Sequence, residues 1–453
     1  MRINEPNVLL DALIEEAGIS HAGFAARVNQ RGEQQGLDLH YDHASVARWV
    51  RDHAIPHGRV PEIICEILSS RIGRIITLSG AGLDRSGGDR IAEASLAQAV
   101  ERATAFWRRE ARGIQPRAGG QILSGPAAIA PVFEWENPPE DRNVSNHHGH
   151  RRVDTADVLM VREARARYEQ MYRRVGGIPV RSRVLEFLDS QVAPLLRDSY
   201  DDALGRQLMR AAGGVAAIAG ICLYDTDRQA AAQKYFFDAL RLAKASGDRG
   251  FGGYIVALLA NQSMCLGRYR QVIQHAETAL RGARGCLSPA LVSDLCTLQA
   301  RAYARIGDRT GCHEQMRRAE NTAGRIRLTE EPPETGYVQC GLVQVQHAEA
   351  LRTLGDLAPA QAYAEEALST ADLSHLRSQV HRHATLAMVL AARGDAEAAA
   401  GVAREMLARA QGMESRRVRD RVMAVSGAIG ALGDSLAARE FTERAREQFA
   451  APM

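Results

Sequence analysis

The stretch YDTDRQAAAQKYFFDALRLAKASGD, residues 224–248, decides the fold because its spacing returns along the chain. Asp227 stands where later copies carry Gly267, Gly307, Gly355, Gly394 and Gly433, at intervals of 40, 40, 48, 39 and 39 residues. Seven positions before each turn residue lies a small one: Gly220, Ala260, Ala300, Ala348, Ala387 and Ser426. Five positions after it come Ala232, Val272, Cys312, Ala360, Ala399 and Ala438. Twelve after it come Ala239, Ala279, Ala319, Ala367, Met406 and Ala445. Small side chains at three fixed offsets let two antiparallel helices approach each other and the next pair, and a glycine or aspartate permits the reversal between them. Such a pair cannot bury its apolar face alone, so stacked pairs must share one continuous core. The pattern predicts about six helical repeats over residues 205–453.

This spacing is similar to that of the tetratricopeptide repeat, with a period of 39–40 residues in place of the usual ~34. The excess predicts longer helices or loops, and the 48-residue interval contains an insertion, RIRLTEEPPETG, at 325–336. Residues 155–204 are expected to form capping helices. The concave lining should come from six positions before each turn: Ile221, Asn261, Arg301, Glu349, Met388 and Gly427. Asn261 and Arg301, with Tyr254 and Glu349, form the candidate ligand- or partner-binding set. An amide beside a forked cation suits a peptide backbone or a carboxylate; the alternative is that the two bond each other or solvent.

At the other end, YDHASVARWVRDHAIP, residues 41–56, reads as a helix capped by Asp42 and stopped by Pro56. Val46, Trp49, Val50 and His53 fall on one stripe, predicted to face a core. His43, Ala44, Ser45, Ala47, Arg48 and Arg51 are the candidate DNA contacts, since small residues allow close approach and arginine forks suit phosphate or a guanine edge. A preceding helix over 19–29 starts at Ser20 and turns Phe24, Ala25 and Val28 inward; Arg27, Arg31 and Arg59 are further candidate phosphate contacts. A first helix over 7–17, with Val8, Leu9, Ala12, Leu13 and Ala17 as its stripe, and a fourth opening near Pro61 complete a four-helix bundle.

SHAGFAARVN followed by SVARWVRDHAIP resembles the helix-turn-helix domain of the Cro/C1-type (XRE) family, over about residues 5–83. Phe24 stands where that family has leucine, and QRGEQQGLDLHYD, residues 30–42, replaces its short turn with a polar insertion. The resemblance implies that the third helix reads double-stranded DNA and that a homodimer sets the half-site spacing. Charge gives this no help: residues 1–83 hold 8 arginines, no lysine and 10 acidic residues, whereas DNA-binding modules are usually basic.

The fold class that follows is all-α: a helix-turn-helix bundle at 1–83, a helix and Gly/Pro-rich linker at 84–154, capping helices at 155–204 and an α-solenoid at 205–453. The helix before the linker, at about 91–111, should bury Phe106 and Trp107. Net charge is +3, close to balance, and arginine outnumbers lysine 55 to 2. Seven cysteines without a C-x-x-C pair predict reduced thiols in a cytoplasmic protein. The first thirty residues lack a signal-peptide pattern, and GGVAAIAGICLY at 213–224 is too short to span a bilayer, so no membrane association is expected. His147, His148 and His150 lack a carboxylate or cysteine neighbour, and SGAGLDRSGG has no G-K-[ST], so no metal and no cofactor is expected. No catalytic motif stands out, and the expectation is that the protein is not an enzyme.

The order of parts, with AAQKYFFDALRLA leading the repeats, resembles the actinobacterial regulators of development and antibiotic production. That resemblance implies a transcriptional regulator, often a repressor, whose repeats mediate dimerisation and sensing of a peptide, small molecule or protein. The alternative is a repeat scaffold whose mildly acidic head binds protein instead of DNA.

Overall fold

The computed structural model describes residues 7–34, 37–52, 54–56, 60–72, 76, 78, 81–83, 96–113, 121–147, 149–370, 375–433 and 435–449. His53, Arg59, His148, Gln35 and Gly36 of the insertion, and 84–95 and 114–120 of the expected linker lie outside the described residues. The chain is all-α. Among the described residues there is no strand, only isolated bridges pairing Asn146 with Tyr200 and Arg152 with Ser199. Two compact units divide it, 1–95 and 96–453.

The first unit holds α1 (Val8–Glu16), α2 (His21–Gln34), α3 (His43–Arg51) and α4 (Val60–Ile72). Phe24, Val28, Val46, Trp49, Ile64 and Leu68 form its core. On α1 the inner stripe is Leu10, Leu13, Ile14 and Ala17; Leu9, predicted to face inward, is 51% exposed because the helix is rotated by one position. The insertion is less loop-like than its polarity predicts. α2 absorbs it as far as Gln34, and the Asn29 side chain bonds the Tyr41 backbone in both directions, at 2.8 and 2.9 Å. Tyr41 then meets the Trp49 ring edge-on at 4.9 Å, so the end of the insertion is tied down immediately before α3.

In the second unit α5 (Leu96–Ala111), α6 (Pro126–Glu136), α7 (Thr155–Val175), α8 (Ile178–Phe187) and α9 (Ala193–Arg197) precede the repeats, α8 running into α9 through a π-helical turn at Leu188–Val192. Six antiparallel pairs follow: α10 (Asp202–Asp225) with α11 (Gln229–Ser246), α12 (Arg249–Cys265) with α13 (Tyr269–Gly282), and α14 (Pro289–Ile306) with α15 (Arg309–Ala323). The other three are α16 (Leu342–Leu354) with α17 (Leu357–Ser369), α18 (Leu376–Ala392) with α19 (Ala396–Ala410), and α20 (Arg416–Gly430) with α21 (Leu436–Phe449).

The repeat spacing has a direct physical basis. Every residue at the three small-residue offsets is buried, including Met406. At Gly220 an added Cβ would lie 2.5 Å from the Phe236 ring, so only glycine lets α10 and α11 close that far. All six turn residues have positive φ, from +62° at Asp227 to +110° at Gly433. Here glycine avoids the steric cost of a left-handed backbone, and aspartate tolerates it. α10 is long and apolar enough to cross a membrane, but 83% of its apolar window is buried inside this core.

The described part of the segment read as a linker, 121–147 and 149–154, is built into the second unit. Trp135 of α6 is 1% exposed, packed where Gly252 and Gly282 leave room for its ring. Arg249 and Lys244 bind the carbonyls that end α6, and Arg241 clamps Asp141 with two bonds of 2.7 and 2.8 Å. The histidine-rich stretch is held as an arm, Asn146 exchanging backbone bonds of 3.0 and 2.8 Å with Tyr200. Proline and glycine content suggested irregularity, but aromatic anchors supply the burial that fixes this segment.

Stacking six pairs also brings the ends of the solenoid together. The turn between α7 and α8 meets the loop before α20: the Glu414 amide donates to the Val175 carbonyl at 2.8 Å, and the Ile178 amide to the Glu414 carbonyl at 3.2 Å. Asp225, fully buried at the end of α10, accepts bonds from the Gly177 amide (2.8 Å), Ser415 Oγ (2.8 Å) and Arg377 Nη2 (2.5 Å). The first and last pairs are thereby joined, and the concave side becomes the wall of a cavity.

Candidate functional site

On the first unit, α3 shows a polar face over an apolar one. His43, Ala44, Arg48 and Arg51 are exposed and Ala47 partly so, while Val46, Trp49 and Val50 are buried. Neither Arg48 nor Arg51 has a carboxylate within 4.0 Å among the described residues. Ser45 does not belong to this face. It is 6% exposed, and both its amide and its hydroxyl donate to Asp42 Oδ1 at 2.8 Å, so it completes the helix cap. That pair of bonds holds the Asp42 carboxyl below its ordinary value. Arg27 is exposed, with its guanidinium on its own helix's Gly23 carbonyl at 3.0 Å. Arg31 instead pairs with Glu66 of α4 at 3.2 Å, which offsets its charge.

The second candidate site is the cavity of the repeat unit, about 640 Å³. Tyr254, Asn261, Arg301 and Glu349 all line it, together with Ile221. Arg301 and Glu349 bond one another, at 2.8 Å, and Arg421 of α20 grips the same carboxylate. Burial would raise the Glu349 carboxyl, yet Arg421 and Arg301 hold it well below the usual carboxylate range. This half-buried triad therefore takes up the charge that the spacing alone assigned to a ligand. Asn261 lies beside Tyr224, whose hydroxyl approaches its carbonyl at 3.5 Å and meets Cys265 Sγ at 2.6 Å.

Met388 and Gly427, expected on the wall by the same offset, are absent from it; His381, Thr385, Arg417, Arg421 and Ala424 take their places. The lining shifts toward the N-terminal ends of α18 and α20, because a superhelix presents successive pairs at different heights. A fixed offset cannot follow that shift.

The insertion at 325–336 supplies another unexpected part. Glu334 is 5% exposed and pairs with Arg210 at 2.8 Å and Arg165 at 3.7 Å, while the Gly336 carbonyl accepts from Arg173 at 3.3 Å. The segment thus crosses to α7 and α10 and delivers Tyr337 to the cavity, where its hydroxyl donates to Asp294 at 2.6 Å. Burial pushes the Asp294 carboxyl up to about 6, against the lowering by Tyr337 and Arg301. Burial likewise raises the hydroxyls of Tyr172, Tyr254 and Tyr337, so these rings face the cavity as neutral phenols.

Residues 10–84 match the family model of the SP15 N-terminal domain, a match that takes in α2, α3 and α4 whole. No curated protein matches the chain.

Proposed function

We propose that the protein is a DNA-binding transcriptional regulator, with the first unit as its DNA reader and the repeat unit as its sensor. The observation that carries this reading is the α3 face: Arg48 and Arg51 exposed without a carboxylate partner, beside Ala44 and Ala47, on a helix fixed from behind by Val46, Trp49 and Val50. Two forks flanked by small residues suit a major groove, where the backbone must come close before arginine can reach a base edge. The buried rear face and the Asp42 cap keep the helix rigid, so the guanidinium groups are presented at little ordering cost. A homodimer would set two such helices on adjacent half-sites. The cavity, whose wall draws on every pair from α10 to α20, suits a ligand that changes how those pairs sit.

The test is genome-wide DNA co-purification with the wild type and the Arg48→Ala/Arg51→Ala variant. Both side chains are exposed, so the variant should fold with stability unchanged to within about 0.5 kcal/mol. Sharp peaks lost in the variant support the reading; peaks retained, or none in either protein, refute it and favour a protein-binding head.

A further inference from the structure

The geometry points to a binding site for a small flat-ringed anion inside the repeat cavity, its carboxylate or phosphate seated on Arg417 and its ring among Tyr172, Tyr224 and Tyr254. This deepens the sensor half of the proposed function and is independent of whether α3 reads DNA.

Four arginines line this part of the wall: Arg301, Arg377, Arg417 and Arg421. Three of them face carboxylates, and Arg301 also acts on Asp294. Asp225 takes Arg377 at 2.5 Å, and Glu349 takes both Arg301 and Arg421. Arg417 has no carboxylate within 4.0 Å among the described residues. Its guanidinium lies over the Tyr224 ring at 4.0 Å, and Nη2 reaches Cys265 Sγ at 3.2 Å. Neither contact neutralises a charge. Among the described residues Arg417 is therefore the member of this set without an ion-pair partner, and an anion is its natural complement.

The other ionisable groups nearby do not pair with Arg417. Burial, with Arg377, Arg421 and Arg417 facing it, keeps the His381 imidazole well below its ordinary value, so it faces the cavity uncharged. Asp227 and Asp420 already share Arg416, at 3.7 and 3.8 Å. Toward α7, Glu169 is taken by Arg165 and Arg173 at 2.8 and 2.5 Å.

Shape narrows the class. A cavity of about 640 Å³ falls among small-molecule sites, which run from roughly 300 to 1,000 Å³. The seam through Asp225 joins the ends of the solenoid, which suits a discrete small molecule better than an extended chain. Arg417 and Arg377 lie over the Tyr224 and Tyr172 rings at 4.0 and 4.8 Å, so the wall offers stacked aromatic and guanidinium planes with directed donors at their edges.

The experiment uses the full-length chain without DNA. The probe is 8-anilinonaphthalene-1-sulfonate, which joins an aromatic body to an anion, with benzoate and phenyl phosphate as competitors. Saturable binding at one site is expected, weakened about tenfold to a hundredfold by Arg417→Gln, as loss of a charged hydrogen bond implies. Arg417→Lys keeps the charge and should retain most of the affinity, which separates lost recognition from lost folding. Occupancy should also protect Cys265 from iodoacetamide and leave the exposed Cys286 reactive. Displacement by phenyl phosphate at the lower concentration assigns a phosphate ligand, and by benzoate a carboxylate. Absence of saturable binding, equal affinity of the Arg417→Gln variant, failure of both competitors, or an unprotected Cys265 each overturns the proposal. None of these outcomes bears on DNA binding, and loss of DNA binding in the Arg48/Arg51 variant leaves probe binding intact.

Discussion

Asp225→Ala should open the seam of the solenoid. The native carboxylate is fully buried and accepts three bonds, from Arg377 at 2.5 Å and from Ser415 and Gly177 at 2.8 Å each. Its removal leaves the Arg377 guanidinium without a carboxylate and the Gly177 amide without an acceptor. Breaking a buried ion pair from one side costs about 3–5 kcal/mol, and an orphaned amide about 1–3 kcal/mol. These do not add in full, because Arg377 keeps Ser415 Oγ at 3.1 Å and the Tyr172 ring at 4.8 Å, and opening lets water reach both orphans. The expected net cost is about 3 kcal/mol.

The location of that cost separates a seam from an ordinary core contact. Hydrogen exchange on the full-length protein should accelerate at the amides of Gly177, Ile178 and Glu414, which donate across the seam. The α12–α15 core should keep its protection, since local opening need not melt neighbouring pairs of a repeat array. Arg377→Met alone should also destabilise, and the double variant should recover at least about 1 kcal/mol of the summed losses in a double-mutant cycle. Unchanged exchange at the three seam amides, or an equal rise throughout the solenoid, would refute the idea of a local seam.

Three further outcomes test the packing. Trp135→Ala should cost about 3–5 kcal/mol in urea unfolding of the repeat unit, the range for deleting a buried aromatic; a cost within experimental error would return α6 to the status of a linker. Burial holds His275 down to about 4, so its folded-state pKa lies below its unfolded one. The stability this contributes is complete above pH ~6.5 and is lost as pH falls toward 4; His275→Leu should flatten that part of the acid profile, and an identical profile would contradict it. Gly355, with φ +86° and open space where a Cβ would go, should lose about 1–2 kcal/mol of thermal stability on change to alanine and less on change to asparagine, because the penalty is backbone alone; an equal loss for both would point to a contact instead.

The repeat architecture was legible because packing within a helix pair is a local matter. Gly220 must be small for Phe236 to fit, and Gly267 or Gly307 must reach positive φ, so the requirement is written at a fixed distance from the turn. The buried and exposed faces of α3 followed from the same kind of period, with Ser45 misplaced because its hydroxyl bonds the cap. The cavity was half legible. Tyr254, Asn261, Arg301 and Glu349 line it, but the ion pair between the last two depends on the rise between repeats, which no single repeat encodes. Arg417 and the seam were invisible for a stronger reason: Asp225 and Ser415 are separated by 190 residues and meet only after five pairs have turned the chain back on itself. Trp135 was hidden by its prolines and glycines, although a tryptophan in an apolar run, PAAIAPVFEW, was an available signal of docking.

Both proposed sites use arginine without an ion-pair partner among the described residues, yet ionic strength should distinguish them. Arg48 and Arg51 stand in solvent on a unit whose overall charge gives DNA no attraction, so binding there depends on a few phosphate and base contacts and on counterion release. Added salt should weaken it steeply, and the slope should shrink by about 1 for each phosphate contact removed. Arg417 is half-buried, stacked on Tyr224 in the cavity wall, where mobile ions reach it less freely than a fully exposed charge. Screening over a Debye length of ~8 Å at physiological salt acts on exposed charges and much less on enclosed ones. Anion binding in the cavity should therefore outlast DNA binding as salt is raised. On the proposed reading, the small ligand would stay bound across conditions in which the grip on DNA varies.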